Sequence, residues 1–176
     1  MITISVVILM ITRPDIIMAV SYFFFIPYLV ITKRKEYFYE YGVASAFALV
    51  WISIAHDFYQ YKNELITIVG IPIFPLFAWA CGLFAAFLLL TYFEKLLKAK
   101  MFVAKLGLFY LIYLIPLVLI ETIGYHYFGI QLTTSYPGLP ICNCIHAPLW
   151  FQMVYLLMGP VYFTVCYWLE KLGRKK

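Results

Sequence analysis

Two cysteines and a histidine alternate late in the chain, in the order Cys142-x-Cys144-x-His146. Two thiolates and an imidazole are ligands that suit Zn²⁺ or copper, with His56 or His126 as a further partner. The cysteines lie closer together than is usual in structural zinc sites, and a disulfide between them would close a very small ring. Three interpretations are therefore open: packing of a loop, a metal or redox site, and a disulfide.

Glu121, His56 and Asp57 are the candidates for acid–base catalysis. Glu121 follows a long apolar run, and a charge near mid-membrane costs about 2.5 to 3.5 kcal/mol. Burial there would make Glu121 a candidate proton carrier, whereas a place among lipid headgroups would leave it an ordinary surface carboxylate. Asp57 could orient the His56 imidazole as a base. Neighbours on a helix point about 100° apart, so we do not expect a side-by-side pair, and both residues could simply end a helix.

The composition shows what must position these residues. The chain is 65% hydrophobic, 20% aromatic and only 12% charged, which is too few polar side chains for the surface of a soluble domain. Its apolar runs are long enough to cross about 30 Å of hydrocarbon as helices. The sequence therefore predicts an all-α, polytopic transmembrane helical bundle of about five spans. The predicted spans are about 15–32, 39–55, 65–93, 106–120 extended towards 130, and 147–169.

We divide the chain into a short apolar N-terminal segment, residues 1–14, and a single integral membrane domain, residues 15–176. The apolar start is too short to span alone, so it is expected to form a half-helix or an interfacial segment. Pro14 can then open the first spanning helix, and Asp15 suits the positive end of its dipole.

The basic residues predict how the bundle is oriented. With five spans, all Lys and Arg except Arg13 and Lys62 fall on one side. The positive-inside rule then gives a cell-membrane protein with its N-terminus outside and its C-terminus in the cytoplasm. Basic groups placed beside the membrane suit anionic lipid headgroups, so the partners expected are membrane lipids and not nucleic acid.

A tetrapeptide pattern occurs twice, as Gly70-Ile-Pro-Ile73 and Gly138-Leu-Pro-Ile141. Each copy lies at the outer mouth of a span that ends in Glu-Lys-Leu, at 94–96 and at 170–172. The second copy needs an insertion of about two helical turns to align. The pattern predicts a parallel duplication of a helical hairpin, residues 39–96 and 102–172, although low-complexity apolar sequence also aligns with itself by chance.

This layout resembles the lycopene cyclase domain, a family of small carotenoid-related membrane proteins, over residues 15–96 and again over 102–172. The likeness lies in the hydropathy and in the Gly-x-Pro helix mouths at Pro72 and Pro140. In that family paired glutamates follow the proline and are suited to protonating a polyene. The matching positions here are Phe74-Pro75 and Cys142-Asn143, with no carboxylate in either copy. The resemblance implies an isoprenoid ligand, and the departure removes the proton donor of cyclisation.

The function predicted on this basis is binding or modification of a long apolar lipid or isoprenoid. Proline and aromatic residues of the third and fifth spans would line a groove for this ligand. The candidates are Pro72, Trp79, Pro140 and Trp150. The competing prediction is a small membrane carrier, or an accessory subunit or oligomer within a larger complex, with a metal site on the outer face. The sequence leaves enzymatic activity open and identifies no cofactor.

Overall fold

Five long helices make up most of the molecule. The computed structural model describes residues 12–60, 66–97, 101–128, 131–132 and 134–173. The helices are α1 (Pro14–Ile31), α2 (Phe38–Ala55), α3 (Ile73–Leu97), α4 (Phe102–Ile123) and α5 (Leu149–Gly173). Each lies in a stretch long and apolar enough to cross a membrane. The predicted all-α fold is confirmed, and the chain is a multi-pass membrane protein.

α3 is the central helix and contacts each of the other four. The face of α2 towards it carries buried small side chains, at Ala44, Ala48 and Ala55. Small residues let two backbones approach closely where lipid offers no hydrophobic drive for helix association. α1 and α4 bury little of their surface, so most of each faces outwards.

Short loop elements gather at one end of the bundle, which we call the loop end (residues 56–60, 66–72, 124–128, 131–132 and 134–148). There β1 (Tyr59–Gln60) pairs with β4 (Gln131–Leu132), and β2 (Thr67–Ile68) pairs with β3 (Ile71–Pro72), both antiparallel. The opposite end, which we call the basic end, holds the turn after α1, the end of α3 at Leu97 and the start of α4 at Phe102. There Lys105 Nζ lies 2.9 Å from Glu94 Oε2.

The third span begins later than predicted, at Ile73 and not near residue 65. Residues 66–72 form the β2–β3 hairpin, whose two turn residues have positive φ, Val69 at 53° and Gly70 at 78°. Glycine supplies that left-handed geometry without steric cost. Pro72, with no N–H to donate, then stands immediately before the helix. Hydropathy did not separate this apolar hairpin from the helix that follows.

The other boundaries also differ in detail. α4 starts at Phe102, ahead of the predicted Leu106, and its predicted extension towards residue 130 becomes a π-helical turn at Gly124–Phe128. Residues 1–11 of the predicted N-terminal segment, 1–14, lie outside the described residues, so its half-helical or interfacial form stays a prediction. Pro14 and Asp15 begin α1 as expected, with Asp15 in the first turn.

α3 and α5 share a length and a burial pattern. Each has 25 residues, and Glu94-Lys95-Leu96 and Glu170-Lys171-Leu172 occupy the same places in the two helices. Buried positions of α3 at Trp79 and Phe87 match buried positions of α5 at Tyr155 and Phe163. The extra residues of the second copy all lie at 141–148, between its Gly-x-Pro and α5. The duplication stays a prediction, and its insertion is now localised.

Candidate functional site

The predicted metal ligands lie in the loop before α5, where Cys142 and Cys144 form a disulfide. The carbonyl of Leu139 accepts hydrogen bonds from the N–H groups of Cys142 (3.2 Å) and Asn143 (2.8 Å). The N–H of Leu139 donates to the carbonyl of Cys144 (2.7 Å). In this form the sulfurs are not thiolates, and thiolates are what a metal would need. Within the described ranges, no three His, Cys, Asp or Glu side chains are grouped to hold a metal ion. The metal site stays a prediction for the reduced form only.

His146, the third predicted ligand, packs among rings. Its imidazole stacks on Tyr125 with centroids 3.7 Å apart, and His126 lies edge-on at 5.4 Å. Burial and the neighbouring His126 lower the pKa of His146 below its ordinary value, which favours the neutral ring. Its Nδ1 is buried without a hydrogen-bond partner in the described part of the chain. The structure thus joins His146 to His126, one of the two partners proposed from sequence.

Gln152, in the first turn of α5, fixes this loop and was not singled out from the sequence. Its Nε2, which has two hydrogens to donate, lies within hydrogen-bond distance of three carbonyls, those of Ala147 (2.9 Å), Pro137 (3.2 Å) and Ile145 (3.2 Å). One side chain therefore satisfies the backbone on both sides of the disulfide turn, where buried carbonyls would otherwise be unpaired. A polar residue amid the apolar start of the span was the available signal.

We expect Gln152→Leu to loosen the loop, because leucine fills similar space and donates nothing. Losing these bonds leaves buried carbonyls unsatisfied, at a cost of about 1 to 3 kcal/mol. Hydrogen–deuterium exchange over residues 137–147 and the thermal unfolding midpoint measure the effect. Thr164→Val is the matched control, since the bond that Thr164 makes among the described residues is to the Pro160 carbonyl, within its own helix. Equal effects of the two variants would contradict the role given to Gln152.

His56 and Asp57 contradict the expectation that neighbours do not pair. They follow the end of α2 in a 3₁₀ turn (His56–Phe58), and His56 Nε2 lies 3.1 Å from Asp57 Oδ1. The His56 Nδ1 is 3.2 Å from the Ser53 carbonyl. The helix ends at Ala55, so the angular spacing of an α-helix does not apply to this pair. A carboxylate thus orients the imidazole, as catalysis would need, but the Asp57 side chain is 83% exposed.

Glu121 lies on a different element, near the loop end of α4. It is half-buried and stands in the last turn, two residues before Ile123. The apolar span continues to His126, so Glu121 lies about 8 Å along the helix from the end of that span. This position is far from the middle of the span, where the insertion cost is highest. Its predicted catalytic role stays a prediction.

Two of the predicted ligand-binding residues meet in a group of rings near the loop end, which we call the aromatic cluster. Trp51 of α2 is at its centre, with ring centroids 6.3 Å from Trp79, 6.3 Å from Trp150 and 4.6 Å from Phe151. Its other members are Phe58 and Tyr155. The Trp51 Nε1 is buried without a hydrogen-bond partner among the described residues. The cluster joins α2, α3 and α5.

The two predicted prolines have other surroundings. Pro72 is buried in β3, immediately before α3. Pro140 is exposed, in the turn that carries the disulfide. Neither belongs to the aromatic cluster, so the four residues proposed from sequence do not form one lining.

A groove of about 190 Å³ lies between α1, α2 and α3, partly open to the outside. Apolar side chains form most of its walls, and two hydroxyls complete it. The lining residues are Tyr22, Ser45, Leu49, Leu76, Phe77 and Ala80. None of the four residues predicted from sequence to bind a ligand is among them.

The hydroxyls of the groove belong to a closed set of hydrogen bonds. Ser45 Oγ lies 2.8 Å from the Tyr22 hydroxyl and donates to the Tyr41 carbonyl, also at 2.8 Å. The Tyr41 hydroxyl in turn donates to the Tyr22 carbonyl at 2.9 Å. Each hydroxyl has a partner, as groups at membrane depth require. The free lone pairs of Tyr22 can still accept a bond from a ligand.

Two buried carboxylates, Asp15 and Glu40, were not predicted as site residues. Asp15 is fully buried at the loop end and accepts bonds from Arg13 Nε (3.0 Å), Arg13 Nη2 (2.9 Å) and the Ile66 N–H (3.1 Å). These bonds raise the pKa of Arg13. Glu40 is buried near the basic end, where its carbonyl accepts a bond from the Tyr162 hydroxyl at 3.1 Å. Asp15 thus ties α1 to the β2–β3 hairpin, and Glu40 lies where α2 meets α5.

The geometry therefore offers two places for chemistry or binding. One is the loop before α5 that carries the Cys142–Cys144 disulfide, and the other is the groove between α1, α2 and α3. They are built by different helices. In comparisons with known proteins, no family model, curated protein or solved structure matches this chain.

Proposed function

We propose that this membrane protein binds the chain of a long apolar lipid, of which an isoprenoid is the leading example, in the groove between α1, α2 and α3. The observation that carries the proposal is the groove itself, with apolar walls and one hydroxyl pair. Ligand sites are mostly apolar and carry a few placed polar groups that orient the ligand.

The size of the groove favours a ligand that is only partly enclosed. Its volume of about 190 Å³ is below the 300 to 1,000 Å³ typical of pockets that surround a whole small molecule. A long chain would place one segment in the groove and the rest along exposed apolar side chains beside it, such as Phe23 of α1, whose ring centroid is 5.7 Å from that of Phe77. The Tyr22 hydroxyl would then fix the depth of an oxygen-bearing group.

The resemblance to the lycopene cyclase domain supports an isoprenoid among apolar ligands. Cyclisation is not part of the proposal, because a carbocation reaction needs an acid at its starting point. The two matched positions are Phe74-Pro75, at the start of α3, and Cys142-Asn143, in the disulfide turn. We therefore propose binding as the activity of the groove.

Leu49→Trp should block the groove and reduce the co-purified apolar ligand several-fold. Leu49 lines the groove and is 49% exposed, so a larger ring can fill the space without forcing the core apart. Quantitative mass spectrometry of lipid extracted from the protein purified in native lipid discs measures the ligand. Leu111→Trp is the control, because Leu111 is similarly exposed on α4, away from the groove. Finding only bulk phospholipid, equal in both variants, would overturn the proposal.

A further inference from the structure

The two sulfurs of the Cys142–Cys144 disulfide differ in access. Cys142 is exposed at the surface of the loop end, whereas Cys144 is fully buried. Thiol–disulfide exchange begins with a thiolate reaching one sulfur of the bond and expelling the other. Cys142 is therefore the sulfur that an incoming thiolate can reach, and Cys144 is the sulfur that it expels. Ile141, beside it, is completely exposed and offers an apolar contact for an approaching chain.

The backbone around Cys144 is strained in the closed form. Asn143 and Ile145, on either side of it, have φ of 46° and 53°. The left-handed region is unfavourable for a side chain with a Cβ, and a β-branched residue there is an outlier. Asparagine adopts this region readily, so the strain lies at Ile145, whose conformation costs about 1 to 3 kcal/mol and persists only where the surroundings enforce it. Here the Leu139 and Gln152 hydrogen bonds hold the turn closed.

A Cβ at Gly138 would also lie 2.8 Å from the Asn143 backbone carbonyl carbon, so glycine is required for this close approach. Exposure and strain are the properties that separate labile disulfides from inert structural ones. The two other cysteines, Cys81 and Cys166, are buried within the helices and are not in a disulfide.

We propose that Cys142 and Cys144 are a redox-active pair that exchanges its disulfide with cysteine pairs of polypeptides at the loop end of the membrane. A thiolate of the polypeptide attacks Cys142 Sγ, the Cys142–Cys144 bond breaks, and Cys144 Sγ takes the electron pair and then a proton. The second thiolate of the polypeptide then attacks the polypeptide's other sulfur, which is bonded to Cys142 in the mixed disulfide. This step releases Cys142, which also takes a proton. Two electrons and two protons reach this chain, and the polypeptide gains a disulfide. The reverse sequence reduces a polypeptide disulfide.

The first experiment measures whether the bond is labile. The purified protein is equilibrated in glutathione buffers of varied ratio, quenched with acid, alkylated and mapped by mass spectrometry. We expect the Cys142–Cys144 pair to change from oxidised to reduced as one two-electron couple within the range of these buffers. A Cys81→Ser/Cys166→Ser variant should give the same curve. A disulfide that stays oxidised at the most reducing ratio would overturn the proposal. So would a pair of thiols that stays reduced at the most oxidising ratio.

The second experiment tests the direction of attack. The oxidised protein is mixed with a reduced, unfolded secretory protein, and free thiols are counted over time; a stoichiometric loss from the polypeptide is expected. The single-cysteine variants are mixed instead with a disulfide-bonded polypeptide, whose disulfide supplies the oxidised partner. Cys144→Ser keeps the exposed sulfur, whose thiolate expels one sulfur of that disulfide, and should accumulate at least about tenfold more mixed disulfide than Cys142→Ser, whose remaining sulfur is buried. Equal adducts, or tight stoichiometric Zn²⁺ binding that prevents reoxidation of the reduced pair, would overturn the proposal. Both variants are first checked for an unchanged unfolding midpoint, and a failing variant is replaced by alanine.

Discussion

Replacing Gly159 with alanine is expected to destabilise the bundle at the contact between α4 and α5. A Cβ at position 159 would overlap the Tyr113 ring, with the ring Cγ 2.6 Å away. That ring is buried, and its hydroxyl donates to the Tyr155 carbonyl at 2.5 Å, so it cannot move aside freely. Overpacking of this kind costs about 1 to 3 kcal/mol. For a chain of this size, each kcal/mol lowers the unfolding midpoint by about 2 to 4 °C.

Gly82→Ala is the matched control, because nothing lies within 4 Å of a Cβ built at Gly82. A helical glycine replaced by alanine in open space should gain stability, by roughly 0.5 to 1 kcal/mol in water-exposed helices. The two variants should therefore shift the midpoint in opposite directions. Thermal unfolding followed by circular dichroism in one detergent measures both. A stabilised Gly159→Ala would show that the helices do not approach as closely as described.

Asp15→Ala is expected to have the other large effect. The fully buried carboxylate accepts the Arg13 guanidinium and the Ile66 N–H, so its removal leaves a charge and a backbone donor without their partner. We expect a loss of about 2 kcal/mol or more, with loosening of the β2–β3 hairpin. The unfolding midpoint and hydrogen exchange over residues 66–72 are the measurements.

The control for Asp15 is Asp57→Ala. That carboxylate also has an ion-pair partner, His56, but it is 83% exposed, and exposed pairs contribute little. Asp15→Asn should lie between the wild type and Asp15→Ala, since an amide keeps an acceptor oxygen and loses the charge. If Asp15→Ala and Asp57→Ala behave alike, the buried bonds do not stabilise the end of α1.

The spans could be predicted from sequence because membrane depth imposes one simple requirement, a continuous apolar helix. The β2–β3 hairpin was missed because Ile66, Ile68 and Ile71 are as apolar as the helix that follows. Only Gly70 and Pro72 marked the boundary, and they indicated a helix mouth without indicating a hairpin. Local backbone geometry therefore decided where α3 starts.

The site was less predictable, because it depends on which helices meet. Trp79 and Trp150 were proposed from one sequence pattern and do lie in one cluster, whereas Tyr22 and Ser45 come from different helices and share no motif. The signal in the sequence was that Tyr22 and Ser45 are polar side chains within apolar spans. The spacing of Cys142 and Cys144 was compatible with packing, a metal site and a disulfide alike. In the structure, the turn around Leu139 brings the two sulfurs together.

The groove between α1, α2 and α3 opens sideways, at the level of mid-helix residues such as Tyr22 and Leu49. A ligand would enter it from the bilayer without passing through water. Occupancy would then follow the mole fraction of the ligand among the surrounding lipids, and its aqueous solubility would not matter. Detergent dilutes the bilayer lipids around the protein, so a weakly bound ligand would dissociate during purification. Extraction in native lipid discs would preserve the composition to which the groove is exposed.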